Sequence, residues 1–202
     1  TLDAGSCSSR IVFNVEKAHS QGLEFELTAK PTGGLEIGLS GSLLKSEFDT
    51  TLPEPLATAT GIRNGNRLPS VPKFQISGNV TYSFPVGAGE GYVNLSGQHV
   101  GTRFTQPADQ ENNPRTFTHG LPFGGQPVGS ATTINLKLPD YQLVNFSAGV
   151  DFDSGFSLVA YVNNILDENA LLAFDRERGG RARLGYHVGQ PRTFGVTARQ
   201  KF

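Results

Sequence analysis

The sequence predicts an all-β chain: an antiparallel membrane β-barrel segment of about seven strands that belongs to a larger barrel. Three observations carry that prediction. Successive segments alternate apolar and polar residues with a period of two, a pattern a strand satisfies and a helix cannot. The connections alternate strictly between short Gly-rich turns and long polar loops, the rhythm of a barrel with short turns on one side of a membrane and long loops on the other. Aromatic residues gather beside the short turns, where side by side they would form an interfacial girdle.

The first strand is expected within residues 10–30, with Leu23, Phe25, Leu27 and Ala29 alternating against Glu24, Glu26, Thr28 and Lys30. PTGG at 31–34 turns the chain into LEIGLSGSLLKSEF, where Leu35, Ile37, Leu39 and Leu43 share a side. A long polar connection over about 49–72 follows. KFQISGNVTYSF is the cleanest strand, with Phe74, Ile76, Val80, Tyr82 and Phe84 against Gln75, Ser77, Asn79, Thr81 and Ser83. PVGAGEG turns into the weaker YVNLSGQHVGTRF, and a second long connection covers about 106–140. VNFSAGVDF puts Val144, Phe146, Ala148, Val150 and Phe152 together; DSG turns into FSLVAYVNNILDE, apolar on both faces at its centre. The third long connection, about 168–190, leads to RTFGVTARQKF, with Phe194, Val196, Ala198, Gln200 and Phe202 on one face. The girdle residues are Tyr82, Phe84, Tyr92, Phe152, Phe156 and Phe202.

The totals bound the rest. Mean hydropathy is slightly negative, as a barrel's alternating strands allow. No run of about 18 apolar residues exists, so the sequence holds no transmembrane helix. A net charge of −1 speaks against a nucleic-acid partner. The one cysteine, Cys7, excludes an internal disulfide and leaves pairing with a cysteine outside this sequence. The chain has no Met, no N-terminal signal pattern and an odd strand count, so we expect the N-terminal part of the barrel to lie outside it. An isolated seven-strand sheet would leave two open edges, which lipid does not tolerate.

Four stretches resemble, in order and spacing, the C-terminal half-barrel of TonB-dependent outer-membrane receptors: HSQGLEFELTAKPTGGLEI, NRLPSVPKFQISGNVTYSF, VNNILDEN and QPRTFGVTARQKF. The resemblance covers residues 10–202 apart from the long loops. It implies a barrel of about 22 strands, an N-terminal plug domain and a TonB box, the last two absent from 1–202. It implies import of a scarce nutrient such as a ferric siderophore, haem, cobalamin or a glycan. It places the chain in the bacterial cell outer membrane, among lipid and lipopolysaccharide. The partners implied are the TonB complex, reached through the missing N-terminal region, the barrel-assembly machinery and a small-molecule or glycan substrate. The terminal Phe202 resembles the family's barrel-assembly signal; Gln200 departs from the aromatic or apolar residue more usual there. No cofactor or metal is implied.

On this reading the lipid-facing residues are Leu23, Phe25, Leu27, Phe74, Ile76, Val80, Phe146, Val150 and Val196. Glu24 and Glu26 face the lumen, either bordering the plug or as plain solvated polarity. The richest loop is FDRERGGRARLGYHVGQPR, where Arg176, Arg178, Arg181, Arg183 and Arg192 flank Gly179 and Gly180. Guanidinium groups bind carboxylates and phosphates in a bidentate fork, so this loop suits an anionic ligand, lipopolysaccharide phosphates, or its own Asp175 and Glu177. Arg115, His119 and His187 complete the candidate ligand set on the outer loops; His119 or His187 would be the ligand in a haem reading. The Pro-rich GNRLPSVPKF steers a loop into a strand. Gly22 marks a bulge or a close approach. Asn163, Asn164 and Asp167 suit turns that bond their own backbone.

Two readings of other classes stay open at this stage. An outer-membrane barrel enzyme has only Asp109, His119 and Asp175 to draw on, and no GxSxG elbow or paired-His spacing, so no catalytic residue is assigned. A soluble β-sandwich binding module would bury the same apolar face against a second sheet.

Overall fold

The computed structural model describes residues 14–110, 115–118, 122, 125–134, 136–176 and 184–201. In chain order the elements are β1 (Ala18–Thr32), β2 (Leu35–Phe48), a short helix α1 (Leu56–Thr60), β3 (Phe74–Pro85), β4 (Gly89–Val100), β5 (Arg103–Phe104) and a 3₁₀ turn (Pro107–Asp109). There follow β6 (Arg115–Thr118), β7 (Ala131–Ile134), β8 (Lys137–Leu138), β9 (Tyr141–Phe152), β10 (Phe156–Asn163), β11 (Leu171–Arg176), β12 (Leu184–Val188) and β13 (Thr193–Gln200).

Seven strands form one sheet in the order β1-β2-β3-β4-β9-β10-β13, every neighbouring pair antiparallel. This is the expected segment, with the first strand starting at Ala18 rather than near residue 10. The long polar connections carry structure of their own. The third folds into the β11–β12 hairpin, and the second contains the pairs β5–β8 and β6–β7. Their short strands alternate too briefly, among too many Gly and Pro residues, to register as periods of two.

The register sorts the side chains by chemistry. Leu23 stands opposite Leu43, Leu43 opposite Phe74, Ile37 opposite Val80, Val80 opposite Leu95, and Leu95 opposite Phe146. Phe146 faces Val162, Val150 faces Leu158, and Ala160 faces Val196. Directly paired residues share a face, so all nine residues expected on the lipid side lie on one face of the sheet. The other face carries Glu24, Ser42, Gln75, Asn79, Gln98, Asn145 and Ser147 at the intervening positions.

The core is not in this sheet. Buried apolar residues are Phe48, Ala57, Ile62, Phe104, Ala108, Leu136, Leu138, Ala170 and Phe174, all in or beside the long connections. The apolar face of the sheet is instead open: Leu23 is 74%, Val196 70% and Phe194 81% exposed. Burying a Leu or Phe side chain gains about 1.5–3 kcal/mol. A contiguous face of such residues left uncovered marks a membrane or protein contact. It does not fit a sandwich, whose second sheet would cover it.

Aromatics sit where this apolar face meets the short turns. Tyr82 and Phe84 stack at 5.8 Å on β3, and Phe152 and Phe156 at 6.2 Å across the β9–β10 turn. Among the described residues, Tyr92 departs from the expected girdle. It pairs with Ser83 and Gly149, which puts it on the polar face, where its ring occupies the space a Gly149 side chain would need. Tyr161 covers Gly195 in the same way, which explains why β10 reads as apolar on both faces. Gly22 is a close approach: a Cβ there would strike the Leu43 carbonyl of β2.

Candidate functional site

Two regions have the chemistry for a function: the polar face of the sheet and the rim built by the long connections. On the polar face, successive side chains project every second residue, roughly 6–7 Å apart along a strand. Glu24 and Glu26 of β1 lie beside Ser42 and Ser40 of β2, and those beside Gln75 and Ser77 of β3. The Ser40 and Ser77 hydroxyls are 2.8 Å apart. Together with Gln98 these residues bound a concavity of about 500 Å³, which continues into a second of about 400 Å³ beside Asn79 and Asn145. The surface offers hydroxyl, amide and carboxylate groups to water or to a polar partner. Among the described residues no cluster of three His, Cys, Asp or Glu side chains could hold a metal.

The rim is held by hydrogen bonds from buried or half-buried polar side chains. Arg67 donates from Nη2 to the Val71 carbonyl (2.9 Å) and the Thr102 carbonyl (2.7 Å), and its guanidinium lies 5.5 Å from the Phe104 ring centre. Gln110 Nε2 donates to the Arg67 carbonyl at 3.0 Å. Arg103 donates from Nη2 to the carbonyls of Leu171 (2.6 Å) and Leu172 (3.3 Å). The Phe174 N–H donates to Thr105 Oγ1 at 2.9 Å. Under these bonds Leu136, Leu138 and Phe174 form a small apolar core with Leu171 packed against it. The first two long connections are therefore tied together through Arg67, and the second and third through Arg103. The sequence reading missed both arginines. The available signal was isolation from other charges: Arg67 stands between Asn66 and Leu68 in the Pro-rich GNRLPSVPKF, and Arg103 between Thr102 and Phe104.

The VNNILDEN stretch is a turn lock, as its residue types imply. Asn164 is buried and adopts φ 51°. Its Nδ2 donates to the carbonyls of Glu168 (3.0 Å) and Gln190 (3.1 Å), while its Oδ1 accepts from the Glu168 N–H (3.0 Å). Arg192 does not join the arginine loop: it pairs with Asp167, Nη2 to Oδ2 at 3.0 Å. At the chain's far end Gln200 Nε2 donates to the Ser154 carbonyl at 3.1 Å, so this polar residue on the apolar register pins the β9–β10 turn, where Gly155 has φ 83°.

Of the candidate ligand residues, Arg115 opens β6 opposite Ile134, and Arg176 ends β11 opposite Leu184. His187 stands opposite Ala173 on the same hairpin as Arg176. Two hairpins thus carry the three. His119, Arg178, Arg181, Arg183, Cys7 and Phe202 lie outside the described residues.

In the first connection, Glu54 accepts from Thr58 Oγ1 (2.8 Å) and from Arg63 Nη2 (2.7 Å). The Thr58 hydrogen bond first, then Arg63, holds its carboxyl below the usual carboxylate range. A carboxyl lowered on folding contributes its stabilisation above its unfolded pKa and loses it as pH falls through the folded one. Protection factors of the amides over residues 56–62, corrected for the intrinsic pH dependence of exchange, are therefore expected to fall on acidification, and Glu54→Gln to remove that fall. An identical pH response in the variant would show that the carboxylate does not hold this segment.

Residues 1–165 match the family model described as TonB dependent receptor-like, beta-barrel. No curated protein matches the chain. Among solved structures it is similar to the ferric yersiniabactin uptake receptor FyuA from Yersinia pestis, at 20% identity and TM-score 0.66, covering 92% of this chain and 24% of that one. It is similar to the ferric-catecholate import receptor Fiu from E. coli K12, at 16% identity and TM-score 0.61, covering 92% and 21%. It is also similar to BauA, the ferric preacinetobactin receptor from Acinetobacter baumannii, at 13% identity and TM-score 0.59, covering 90% and 22%. The chain spans about a quarter or less of the length of these receptors.

Proposed function

Since this chain belongs to the family of TonB-dependent receptor β-barrels, we propose that it forms the wall and outer loops of an outer-membrane transporter that imports a ferric siderophore. The observation that carries this reading is a single sheet with two chemically opposite, uncovered faces. The apolar face turns to lipid and lipopolysaccharide, and the polar face to the barrel lumen. Phe74 and Phe84 are ten residues apart on β3, roughly 33 Å along the strand at about 3.3 Å per residue. A tilt near 45° makes that roughly 23 Å of height, close to the outward apolar band of about 25 Å in such barrels.

The edges of β1 and β13 have no partner strand among the described residues. In lipid both must be paired, so further strands of the same barrel are needed to close it. A plug and a TonB box supplied by the remaining sequence would give the energy coupling, and Phe202 the contact with the barrel-assembly machinery. The siderophore assignment is supported by the similar structures, which are named as receptors for ferric chelates. Arg115, Arg176, Arg178, Arg181, Arg183, His119 and His187 are the residues we place on the cargo's side of the outer loops.

The test is growth and uptake of radioactive iron under iron limitation, in a strain carrying the full-length gene or its deletion, with and without TonB. Uptake of one or more ferric siderophores that needs both the gene and TonB is expected. Wild-type iron uptake in the deletion strain, with a defect instead on glycans or haem, would reassign the cargo.

A further inference from the structure

The rim holds a cation whose counter-charge is missing. Arg103 is 6% exposed, yet among the described residues no carboxylate forms an ion pair with it. Its Nη2 is used by the Leu171 and Leu172 carbonyls. Its Nη1 is buried and has no hydrogen-bond partner. The guanidinium lies 5.0 Å from the Tyr141 ring centre, and Tyr141 pairs with Val100, at the loop end of the polar concavity. An aromatic face and two carbonyl dipoles offset part of the desolvation of a buried cation. They do not replace an anion: charges taken out of water are paired or metal-bound in folded proteins, and an unpaired one is among the costlier arrangements.

We infer that Arg103 is an oxyanion site at the outer mouth of the lumen. Its Nη1 receives a carboxylate-type oxygen anion through a charge-assisted hydrogen bond, while Nη2 stays on β11 and the Tyr141 ring supports the guanidinium plane. The same chemistry has two sources: a carboxylate or phenolate of the imported chelate, or an acidic side chain from the part of the receptor outside this chain. The first source rests on the receptor reading above and narrows its cargo to anionic chelates. Because Nη2 bonds the first residues of β11, occupancy of Nη1 is coupled to the seat of the β11–β12 hairpin that carries Arg176 and His187.

The experiment uses the full-length receptor in detergent, with citrate and ferric citrate as anionic probes and ferrioxamine B as a cationic one, at matched ionic strength. Affinity is read by calorimetry and stability by thermal midpoint, for wild type, Arg103→Gln, Arg103→Lys and Arg63→Gln. Arg63→Gln removes an outer-loop charge away from the site and should match wild type toward all probes. A cargo anion predicts at least tenfold weaker citrate or ferric citrate binding in Arg103→Gln, with ferrioxamine B unchanged. An anion from the receptor itself predicts equal citrate responses and a wild-type midpoint that falls more steeply on acidification than that of Arg103→Gln; a midpoint lowered equally at every pH shows only the lost β11 carbonyl bonds and overturns the inference. If Arg103→Gln matches wild type in both readouts, the site does not exist. Should Arg103→Gln fail to assemble, Arg103→Lys decides: loss of the fork should weaken citrate at least threefold or flatten the pH dependence of the midpoint, and no change in either overturns the inference. Failure of the transport reading appears separately, as absent TonB-dependent iron uptake in wild type.

Discussion

Val80→Arg is expected to prevent assembly of the full-length receptor in the outer membrane. Val80 lies midway along β3, opposite Ile37 on one side and Leu95 on the other, and is 40% exposed on the apolar face. Placing Arg at the bilayer midplane costs about 2–4 kcal/mol on a barrel's lipid face. Its neighbours at Ile37 and Leu95 offer no polar group for the guanidinium to reach. The paired control is Asn79→Arg, one residue earlier and therefore on the polar face, where water accepts the charge. The measurement is the heat-modifiable, protease-resistant fraction of each variant in isolated outer membranes. The expected result is loss for Val80→Arg and near wild-type assembly for Asn79→Arg. Equal assembly of the two would mean that this face does not meet lipid, and the reading of all nine apolar-face residues would fall with it.

The second large effect is expected at Asn164. Its amide makes three hydrogen bonds to the backbone of residues 168 and 190, and its own N–H donates to Asn145 Oδ1 at 2.9 Å. The residue is buried, so water cannot replace the lost partners. Three such bonds at about 1 kcal/mol each give roughly 3 kcal/mol. Ala also tolerates a positive φ less well than Asn, adding about 1 kcal/mol. Asn164→Ala should therefore raise amide exchange over residues 164–170 by two to three orders of magnitude. Asn164→Asp should do more harm than its size suggests, since its carboxylate sets an acceptor against the Glu168 and Gln190 carbonyls. Asn164→Gly relieves the φ term and isolates the hydrogen bonds. Unchanged exchange in Asn164→Ala would show that this turn is held by its neighbour β9 instead, through bonds such as Ile165 N–H to the Val144 carbonyl.

How the two regions are built bears on what each can do. The sheet contributes surfaces; its residues face outward on both sides, and its own stability comes from ladder hydrogen bonds and cross-strand pairs. The rim contributes an interior, small and dense with polar side chains that each serve a backbone group. Arginine is used there as a fork that gathers carbonyls from separate loops, at Arg67 and Arg103, before any ligand is considered. An arginine count along the sequence therefore overstates the charge free for cargo, and Arg192, held by Asp167, is the plainest case.

The sequence by itself determined the sheet. Alternation in segments such as Phe74–Phe84 names both faces because the side-chain period of a strand is two, and register follows from matching apolar sets across neighbours. It also implied the turn at Asn164, whose amide bonds the nearby Glu168 backbone, whereas Asn163 meets Thr193 and Asp167 meets Arg192, both distant in sequence. What only the tertiary structure decided involves partners distant in sequence. Tyr92 left the expected girdle for the polar face because Gly149, 57 positions later, leaves room for its ring. The long connections gained strands because β5 meets β8 and β11 meets β12 across Gly-rich spacers with no periodic signal of their own. Arg103 acquired its role from Leu171, 68 positions away, and Tyr141. Local pattern encodes which side of a strand a residue faces; it carries no record of which loop will fold down upon it.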